Sequence, residues 1–301
     1  MQNFYSRGKL LLTGEYVVLD GALALALPTK FGQSLEVQPI NAQQILWKSI
    51  DDNKQVWFEC FFEIVHGKII PNHQNETSMR LADILNAANS LNKEFLKSGD
   101  GFQILTELEF PRSWGLGSSS TLINNIANWA QVDPYKLLAL TFGGSGYDIA
   151  SAQSDSPIIY QLKGNTIHIE QVNFNPPFSD QLFFVHLNQK RDSGKAVSKY
   201  KLQKKDIKSH VSSINNLTNT ILNCSDIREF EKLISHHEQI ISDVIKTKPV
   251  KETLFNEFKG AVKSLGAWGG DFILATGNLE DMNYFKGKGY PTVISFKDMI
   301  L

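Results

Sequence analysis

The order of predicted elements along the chain is compatible with an α+β protein of two lobes. Alternating apolar patterns, which are typical of strands, dominate the first half, and long amphipathic helical patterns dominate the second. With 301 residues, of which 42% are hydrophobic and 20% charged, the chain is long enough for two ordinary domains. We place their boundary after residue 155, which gives domains of residues 1–155 and 156–301.

Strands and one helix are predicted before residue 111. The strands are predicted at residues 9–13, 22–38, 45–49, 56–64 and 102–110. Thr77 is the predicted cap of a helix that reaches about Lys97, because apolar residues recur there at helical spacing.

Helices are predicted to dominate from residue 118 onward. Asp133-Pro134 indicates a helix start, with Asp as the cap and Pro at the first helical position. The predicted helices span residues 118–130, 134–142, 207–221, 227–244, 251–265 and 279–286. The predicted strands of this half span residues 157–162, 166–172, 181–187, 272–276 and 292–296.

The charge balance argues against nucleic acid or an anionic membrane as the main partner, because the formal net charge is −1 and the isoelectric point is near 6.7. Cys60 and Cys224 show neither pairing nor metal spacing, so we expect reduced thiols in a cytoplasmic protein. The apolar run of residues 10–12 is too short for a signal segment or a membrane span. Small molecules are the expected partners of a monomer or homodimer.

A glycine and serine turn at residues 115–120 is the most informative segment. Gly115 and Gly117 allow a tight turn with the backbone amides facing one way, and three serines then open a helix whose first N–H groups lack partners. Such a turn suits a phosphate group, which meets backbone donors and the positive end of the helix dipole. A serine-capped loop without a ligand is the alternative.

Three further segments carry glycines or charged residues, and their order along the chain bears on function. They are residues 6–16 with Lys9 and Glu15, residues 143–150 with Asp148, and residues 266–271. Together with residues 111–120, they resemble the motifs of the GHMP kinases, which include galactokinase, homoserine kinase, mevalonate kinase and phosphomevalonate kinase. The resemblance covers nearly the whole chain, and the Gly-Tyr-Asp-Ile-Ala run at 146–150 is similar to that of one branch of the family.

The resemblance implies a ribosomal-protein-S5-like N-terminal domain, a ferredoxin-like C-terminal domain and an active site between them. It also implies ATP and Mg²⁺ as cofactors. Asp148 is then the candidate base, and Lys9 lies near the base and the transferring phosphoryl group. A turn aspartate bonded to local amides and a solvated lysine at a strand end are the alternatives.

By the same resemblance, the nucleotide contacts Gly115, Gly117 and the three serines Ser118, Ser119 and Ser120, with Ser119 as the magnesium ligand. Glu15 is expected to position the nucleotide or to support Lys9, although a buried structural glutamate fits the sequence equally well.

The acceptor is expected to lie against Gly146, Tyr147 and the C-terminal loop residues Gly269, Gly270 and Asp271. Lys190, Arg191 and Lys195 follow a predicted strand and are a possible clamp for a phosphorylated acceptor. A solvated run of charges is the alternative.

Two departures from the family pattern bear on function. Leu137 stands where mevalonate kinases carry a magnesium-binding Glu, and Trp268 replaces a motif glycine. Phosphomevalonate kinases also lack that Glu, which favours phosphomevalonate over mevalonate as the acceptor. A homoserine or sugar kinase and a catalytically impaired nucleotide-binding homologue are the alternatives.

Adjacent His236 and His237 lack partners at ligand spacing, which disfavours a metal site there.

Overall fold

A computed structural model describes residues 1–97, 99–164, 166–189, 193–203, 207–268 and 270–301. The chain divides into two compact units, each assembled from three separate segments. The first unit contains residues 1–8, 31–112 and 117–153. The second contains residues 9–30, 113–116 and 154–301.

The sheet of the first unit is built mainly from consecutive antiparallel strands. Its strands are β1 (Gln2–Leu11), β2 (Ala24–Pro39), β3 (Gln44–Ile50), β4 (Val56–Val65), β5 (Lys68–Pro71) and β6 (Phe102–Leu108). The first two also continue into the second unit. The order is β5-β4-β3-β6-β2, with β1 paired to β2, and only the β3 to β6 pairing within this described order is parallel.

Four helices cover one face of this sheet. They are α1 (Glu76–Leu91), α2 (Ser118–Ala130), α3 (Pro134–Thr141) and α4 (Tyr147–Ala152). Apolar side chains from strands and helices form one core, in which Trp129 of α2 packs edge-on against Phe95 with ring centroids 4.6 Å apart.

The limits of α1 differ from the prediction. Asn75, not Thr77, caps the helix, because its side chain accepts the Ser78 N–H at 2.9 Å while the Ser78 hydroxyl accepts the Asn75 N–H at 3.0 Å. The helix ends at Leu91 rather than near Lys97. Phe95 is buried all the same, because the segment after the helix folds back into the core. The helical spacing of apolar residues therefore continued past the helix itself.

The second unit contains two groups of strands. In one, β7 (Ile158–Lys163) lies between β8 (Thr166–Gln171) and the first residues of β2. The other is a four-stranded antiparallel sheet of β9 (Leu182–His186), β10 (Val262–Ser264), β11 (Phe272–Thr276) and β12 (Val293–Ser295), in the order β10-β11-β9-β12. Its helices are α5 (Ser193–Gln203), α6 (Lys208–Leu222), α7 (Ile227–Ile245), α8 (Val250–Leu254), α9 (Asn283–Gly287) and α10 (Phe296–Met299).

The predicted helix over residues 251–265 is wrong. α8 ends at Leu254, and residues 262–264 form β10 instead. β10 pairs antiparallel with β11, and the chain already lies close to that strand at Gly260, where a Cβ would be 2.0 Å from the carbonyl oxygen of Thr276. Strand pairing thus replaces the last part of the predicted helix. Besides β10, four further elements were not predicted: β5, α4, α5 and α10.

None of the helices in the described part of the chain combines the length and the hydropathy needed to cross a bilayer.

Leu137 is fully buried in the core of the first unit, whereas Leu140 on the same helix is 59% exposed. We predict that Leu137→Ala lowers the free energy of unfolding by about 2–5 kcal/mol, because it leaves a cavity. Leu140→Ala, the matched control, should change it by less than about 0.5 kcal/mol. Urea unfolding of both variants measures the difference, and equal losses would contradict the packing described here.

Candidate active site

The start of α2 is a glycine turn without a side-chain cap, which is the local structure that the sequence predicted at residues 115–120. Gly117 is the N-cap residue in the left-handed conformation, with φ 88° and ψ 36°, and no described side chain caps the helix. The N–H groups of Ser118, Ser119 and Ser120 therefore have no acceptor within the helix. Ser119 is exposed, and its two neighbours are half-buried. Amides and hydroxyls at this turn remain accessible to an anion.

Asp148 lies in the first turn of α4, which also begins at a left-handed glycine, Gly146, with φ 89°. The side chains of Tyr147 and Asp148 are half-buried. α4 packs against α2, and the Gln153 side chain donates a hydrogen bond to Asn124 Oδ1 at 2.9 Å. The predicted base and the predicted phosphate turn thus belong to adjacent helices of the first unit.

Gly115 in the second unit contacts two of the predicted site residues. The Lys9 ammonium donates to the Gly115 carbonyl oxygen at 3.2 Å, and the Lys9 N–H donates to the Leu116 carbonyl oxygen at 2.9 Å. A Cβ on Gly115 would lie 2.2 Å from the Asp271 carboxyl carbon, and Gly115 has φ 66°. Glycine is required here for both the backbone conformation and the approach of Asp271.

The backbone of the C-terminal loop accepts hydrogen bonds from the segment that follows β9. The Gly270 carbonyl accepts the Gln189 N–H at 3.3 Å, and the Asp271 carbonyl accepts the Leu187 N–H at 2.8 Å. Trp268 has φ 59°, so it adopts the left-handed conformation that glycine would favour at this position. Its ring is buried, and the neighbouring Ala267 carbonyl accepts a hydrogen bond from the Tyr16 hydroxyl at 3.0 Å.

Glu15 lies in the buried interior of the second unit. It forms an ion pair with Lys263, and both side chains are 0% exposed. Burial raises the pKa of Glu15, while the Lys263 charge opposes that shift. This placement corresponds to the buried structural glutamate that the sequence left open beside the nucleotide role.

His237 is a neutral member of the same cluster. Burial, reinforced by the charges of Lys263 and His236, lowers the pKa of His237 well below its ordinary value. Its Nε2 atom accepts the Gly14 N–H at 3.0 Å, so the proton is on Nδ1, which has no partner among the described residues. The 3.5 Å approach of Nε2 to Glu15 Oε2 is therefore not an ion pair.

Glu238 completes the buried cluster. Both of its carboxylate oxygens accept the Ser264 N–H at 3.1 Å, and Oε1 also accepts the Ser264 hydroxyl at 2.7 Å. Burial raises the pKa of Glu238 to about 7, against the opposing effects of Lys263 and Ser264.

Lys263 and Glu238 were not predicted to form a buried cluster, although a lysine between Val262 and Ser264 in an apolar segment was the available signal. Within the described ranges, no group of three or more His, Cys, Asp or Glu side chains is suited to a metal ion.

The predicted basic clamp is only partly visible. Lys190 and Arg191 lie outside the described residues, as does Gly269 of the C-terminal loop. Lys195 is exposed in the first turn of α5, a helix that replaces part of the loop expected at residues 188–195.

Magnesium prefers oxygen ligands and retains several waters in most protein sites. Leu137 offers none, because it is an apolar residue in the core. The exposed Ser119 hydroxyl and the half-buried Asp148 carboxylate are oxygen donors of the kind the ion requires. By the chemistry of its oxygen donors, the first unit can supply ligands of the type magnesium prefers without a Glu on α3.

The contact between Gly115 and Asp271 yields a prediction about stability. Gly115→Ala should destabilise the protein more than Gly164→Ala by at least about 1 kcal/mol, because only the former introduces a steric clash. Gly164 has φ 61°, and apart from its sequence neighbours no atom of the described chain lies within 4 Å of a Cβ there. Both substitutions place an alanine in a left-handed backbone conformation, which costs each variant about 1–2 kcal/mol. Thermal unfolding checks the difference, and equal destabilisation would refute the close approach.

Glu238 yields a prediction about pH. Its folded-state pKa of about 7 lies above the ordinary value of 4.5, so the folded protein binds this proton more tightly than the unfolded chain does. The contribution of Glu238 to stability is complete below pH 4.5 and is lost as the pH rises to about 7. As the pH rises from 4.5 to about 7, the wild type should therefore lose unfolding free energy relative to the Glu238→Gln variant.

Urea unfolding in steps of about one pH unit measures that difference. Exposed Glu280 provides the control variant Glu280→Gln. A difference for Glu238→Gln that is independent of pH would contradict the assignment.

No protein-family model matches the chain, and no curated protein matches its sequence. Solved structures do match it over nearly its whole length. Mevalonate kinase from Methanococcus jannaschii is 17% identical, with a TM-score of 0.69 and coverage of 95% of this chain and 94% of that chain. Streptococcus pneumoniae phosphomevalonate kinase in complex with phosphomevalonate and AMPPNP is 16% identical, with a TM-score of 0.68 and coverage of 96% of each chain.

Galactokinase from Lactococcus lactis, solved with galactose, is 14% identical, with a TM-score of 0.70 and coverage of 100% of this chain and 93% of that chain. At such identities the likeness establishes the fold. These enzymes are the ones that the motifs indicated, and the chain has the fold of the GHMP kinases.

Proposed function

We propose that the protein is an ATP-dependent small-molecule kinase of the GHMP family that acts in the mevalonate pathway. Phosphomevalonate is the preferred acceptor and mevalonate the second. The observation that carries the proposal is the pairing, within one unit, of an uncapped glycine and serine helix start with the helix that bears Asp148. The shared fold and the motif order support it.

ATP is proposed to place its phosphates at the start of α2. The amides of Ser118, Ser119 and Ser120 and the helix dipole suit the negative charge, and Gly117 places no side chain over them. Gly115 is proposed to contact the nucleotide through its backbone. The complex of Streptococcus pneumoniae phosphomevalonate kinase with AMPPNP, an ATP analogue, supports this choice of donor.

In the proposed reaction, an acceptor oxygen forms a bond to the γ-phosphorus while the bond to the β,γ-bridging oxygen breaks. The electron pair of the broken bond leaves with ADP. Asp148 takes the proton of a hydroxyl acceptor, and Lys9 offsets the negative charge that develops on the transferring group. A phosphate acceptor is already ionised, so the contribution of Asp148 is then smaller.

A magnesium ion would neutralise charge on the β- and γ-phosphates. Ser119 is the proposed protein ligand, and waters complete the coordination.

On the acceptor side, we assign Gly146, Tyr147, Gly270 and Asp271, together with Gly269. Lys190, Arg191 and Lys195 are proposed to bind the phosphate of a phosphorylated acceptor. The division into an S5-like domain of residues 1–155 and a ferredoxin-like domain of residues 156–301 remains part of this proposal.

Two observations favour alternatives. The likeness to galactokinase is as strong as the likeness to mevalonate kinase. A kinase with a sugar or homoserine acceptor is therefore the first alternative. The buried Leu137 and the left-handed Trp268 favour a homologue that binds nucleotide with impaired catalysis.

ADP release against a panel of acceptors tests the function. The panel contains phosphomevalonate, mevalonate, homoserine and galactose. With a hydroxyl acceptor, Asp148→Asn should lower kcat by about 10²- to 10⁴-fold, because the base is lost. The control Asp83→Asn, on the exposed face of α1, should leave kcat unchanged.

Lys9→Met should also lower kcat, and the double variant should lose less than the product of the two single effects if both groups act on one step. Binding of ATP without turnover of any acceptor would favour the impaired homologue. A hydroxyl acceptor turned over equally well by Asp148→Asn would exclude Asp148 as the base.

A further inference from the structure

A polar network, buried except for its terminal member Gln153, lies on the inner face of α2, where the neighbouring turns are apolar. We call it the α2 polar network. Its members are Ser6, Gln33, Thr121, Asn124, Asn125 and Gln153. The later residues of α2 that face inward, such as Ile126 and Trp129, belong to the hydrophobic core. The network is thus confined to the half of α2 nearest the serine turn.

The hydrogen bonds of the network form one connected chain. Gln153 Nε2 donates to Asn124 Oδ1 at 2.9 Å, and Asn124 Nδ2 donates to Ser6 Oγ at 2.9 Å. Ser6 in turn donates to Asn125 Oδ1 at 2.6 Å, and Asn125 Nδ2 donates to the Gln33 carbonyl at 2.9 Å. The Thr121 hydroxyl donates to Gln33 Oε1 at 2.6 Å. Both polar atoms of Asn124 and of Asn125 are used.

Because most of these groups are buried, their hydrogen bonds hold the side chains of the network in one orientation. Ser6 and Asn125 are 0% exposed and Asn124 is 2% exposed, so water cannot replace a lost partner easily. Apolar side chains would fill the same space without fixing the orientation of the helices, because hydrophobic contact is not directional. A connected polar network instead specifies one arrangement.

Each element that carries a predicted reactive group contributes to the network. Ser6 precedes Lys9 on β1, α2 begins with the serine turn, and Gln153 follows α4, which carries Asp148. Gln153 is the sole described residue of α4 or its cap whose side chain bonds to Asn124, and its own surface is exposed.

We propose that the hydrogen bond from Gln153 to Asn124 is a positioning link that fixes α4 against α2 and so sets the place of Asp148 relative to the serine turn. This inference rests on the proposed kinase function. Gln153 and Asn124 are positioning residues, since neither is assigned a contact with ATP or the acceptor. Loss of the link should disturb phosphoryl transfer without disturbing nucleotide binding, because the turn that binds phosphate is unchanged.

The exposed position of Gln153 allows a matched set of variants. Gln153→Met removes the donor and keeps the length of the side chain, whereas Gln153→Lys keeps a donor. Gln103→Met, at an exposed position of β6, controls for the loss of a surface glutamine. For each protein we would measure kcat and KM for ATP with the best wild-type acceptor, the unfolding midpoint, and hydrogen exchange of the α4 amides.

We expect Gln153→Met to lower kcat by about tenfold or more, with KM for ATP within about twofold of the wild type. Exchange in α4 should quicken by about fivefold, while the unfolding midpoint matches that of Gln103→Met. Gln153→Lys should restore most of kcat and slow the exchange. An unchanged kcat in Gln153→Met, or equal impairment of both Gln153 variants, would overturn the proposal.

Failure of the proposed function gives a different result. Wild-type protein would then turn over no acceptor, and the exchange measurement alone would decide the inference. Faster α4 exchange in Gln153→Met than in Gln153→Lys supports the link, and identical exchange in the two refutes it.

Discussion

Gly117 begins α2 in a left-handed conformation, and the amides of the first helical turn have no described side-chain cap. A residue with a Cβ would resist this conformation by about 1–2 kcal/mol, and a capping side chain would occupy the amides of the first turn. Other helices of the same unit do use such caps: Asn75 satisfies the first turn of α1, and Asp133 accepts the Tyr135 N–H of α3 at 2.8 Å. By contrast α2 and α4, which carry the proposed serine turn and base, both begin at left-handed glycines with no described side-chain cap.

The second unit, in contrast, buries a cluster of ionisable side chains. Glu15, Lys263, His237 and Glu238 are removed from water, and their hydrogen bonds are made within the unit to neighbours such as Ser264 and Gly14. A buried ion pair of this kind is weak evidence for added stability, because desolvation opposes the attraction. Its clearest effect is geometric: it ties the segment that follows β1 to β10 and α7.

Local chemistry accounts for what the sequence predicted well. The limits of α2 and the Asp133 cap of α3 follow from glycines, serines and prolines whose effects extend over only a few residues. The failures came from contacts that are distant along the chain. The pairing of residues 262–264 with β11 replaced the last part of the helix predicted at residues 251–265, and the fold-back of Phe95 extended an apolar pattern beyond α1. The Lys263 cluster was missed for the same reason, since its partners lie up to 248 residues away.

Trp268 keeps a left-handed backbone conformation that residues with a Cβ disfavour. Its left-handed conformation is held by the cluster in which its ring packs, beside Tyr16, Tyr200 and residues of α6 and α7. The conformation of the C-terminal loop therefore depends on packing against helices that are remote in sequence. A substitution that loosens the packing of those helices would therefore also loosen the loop, although the two segments are far apart in sequence.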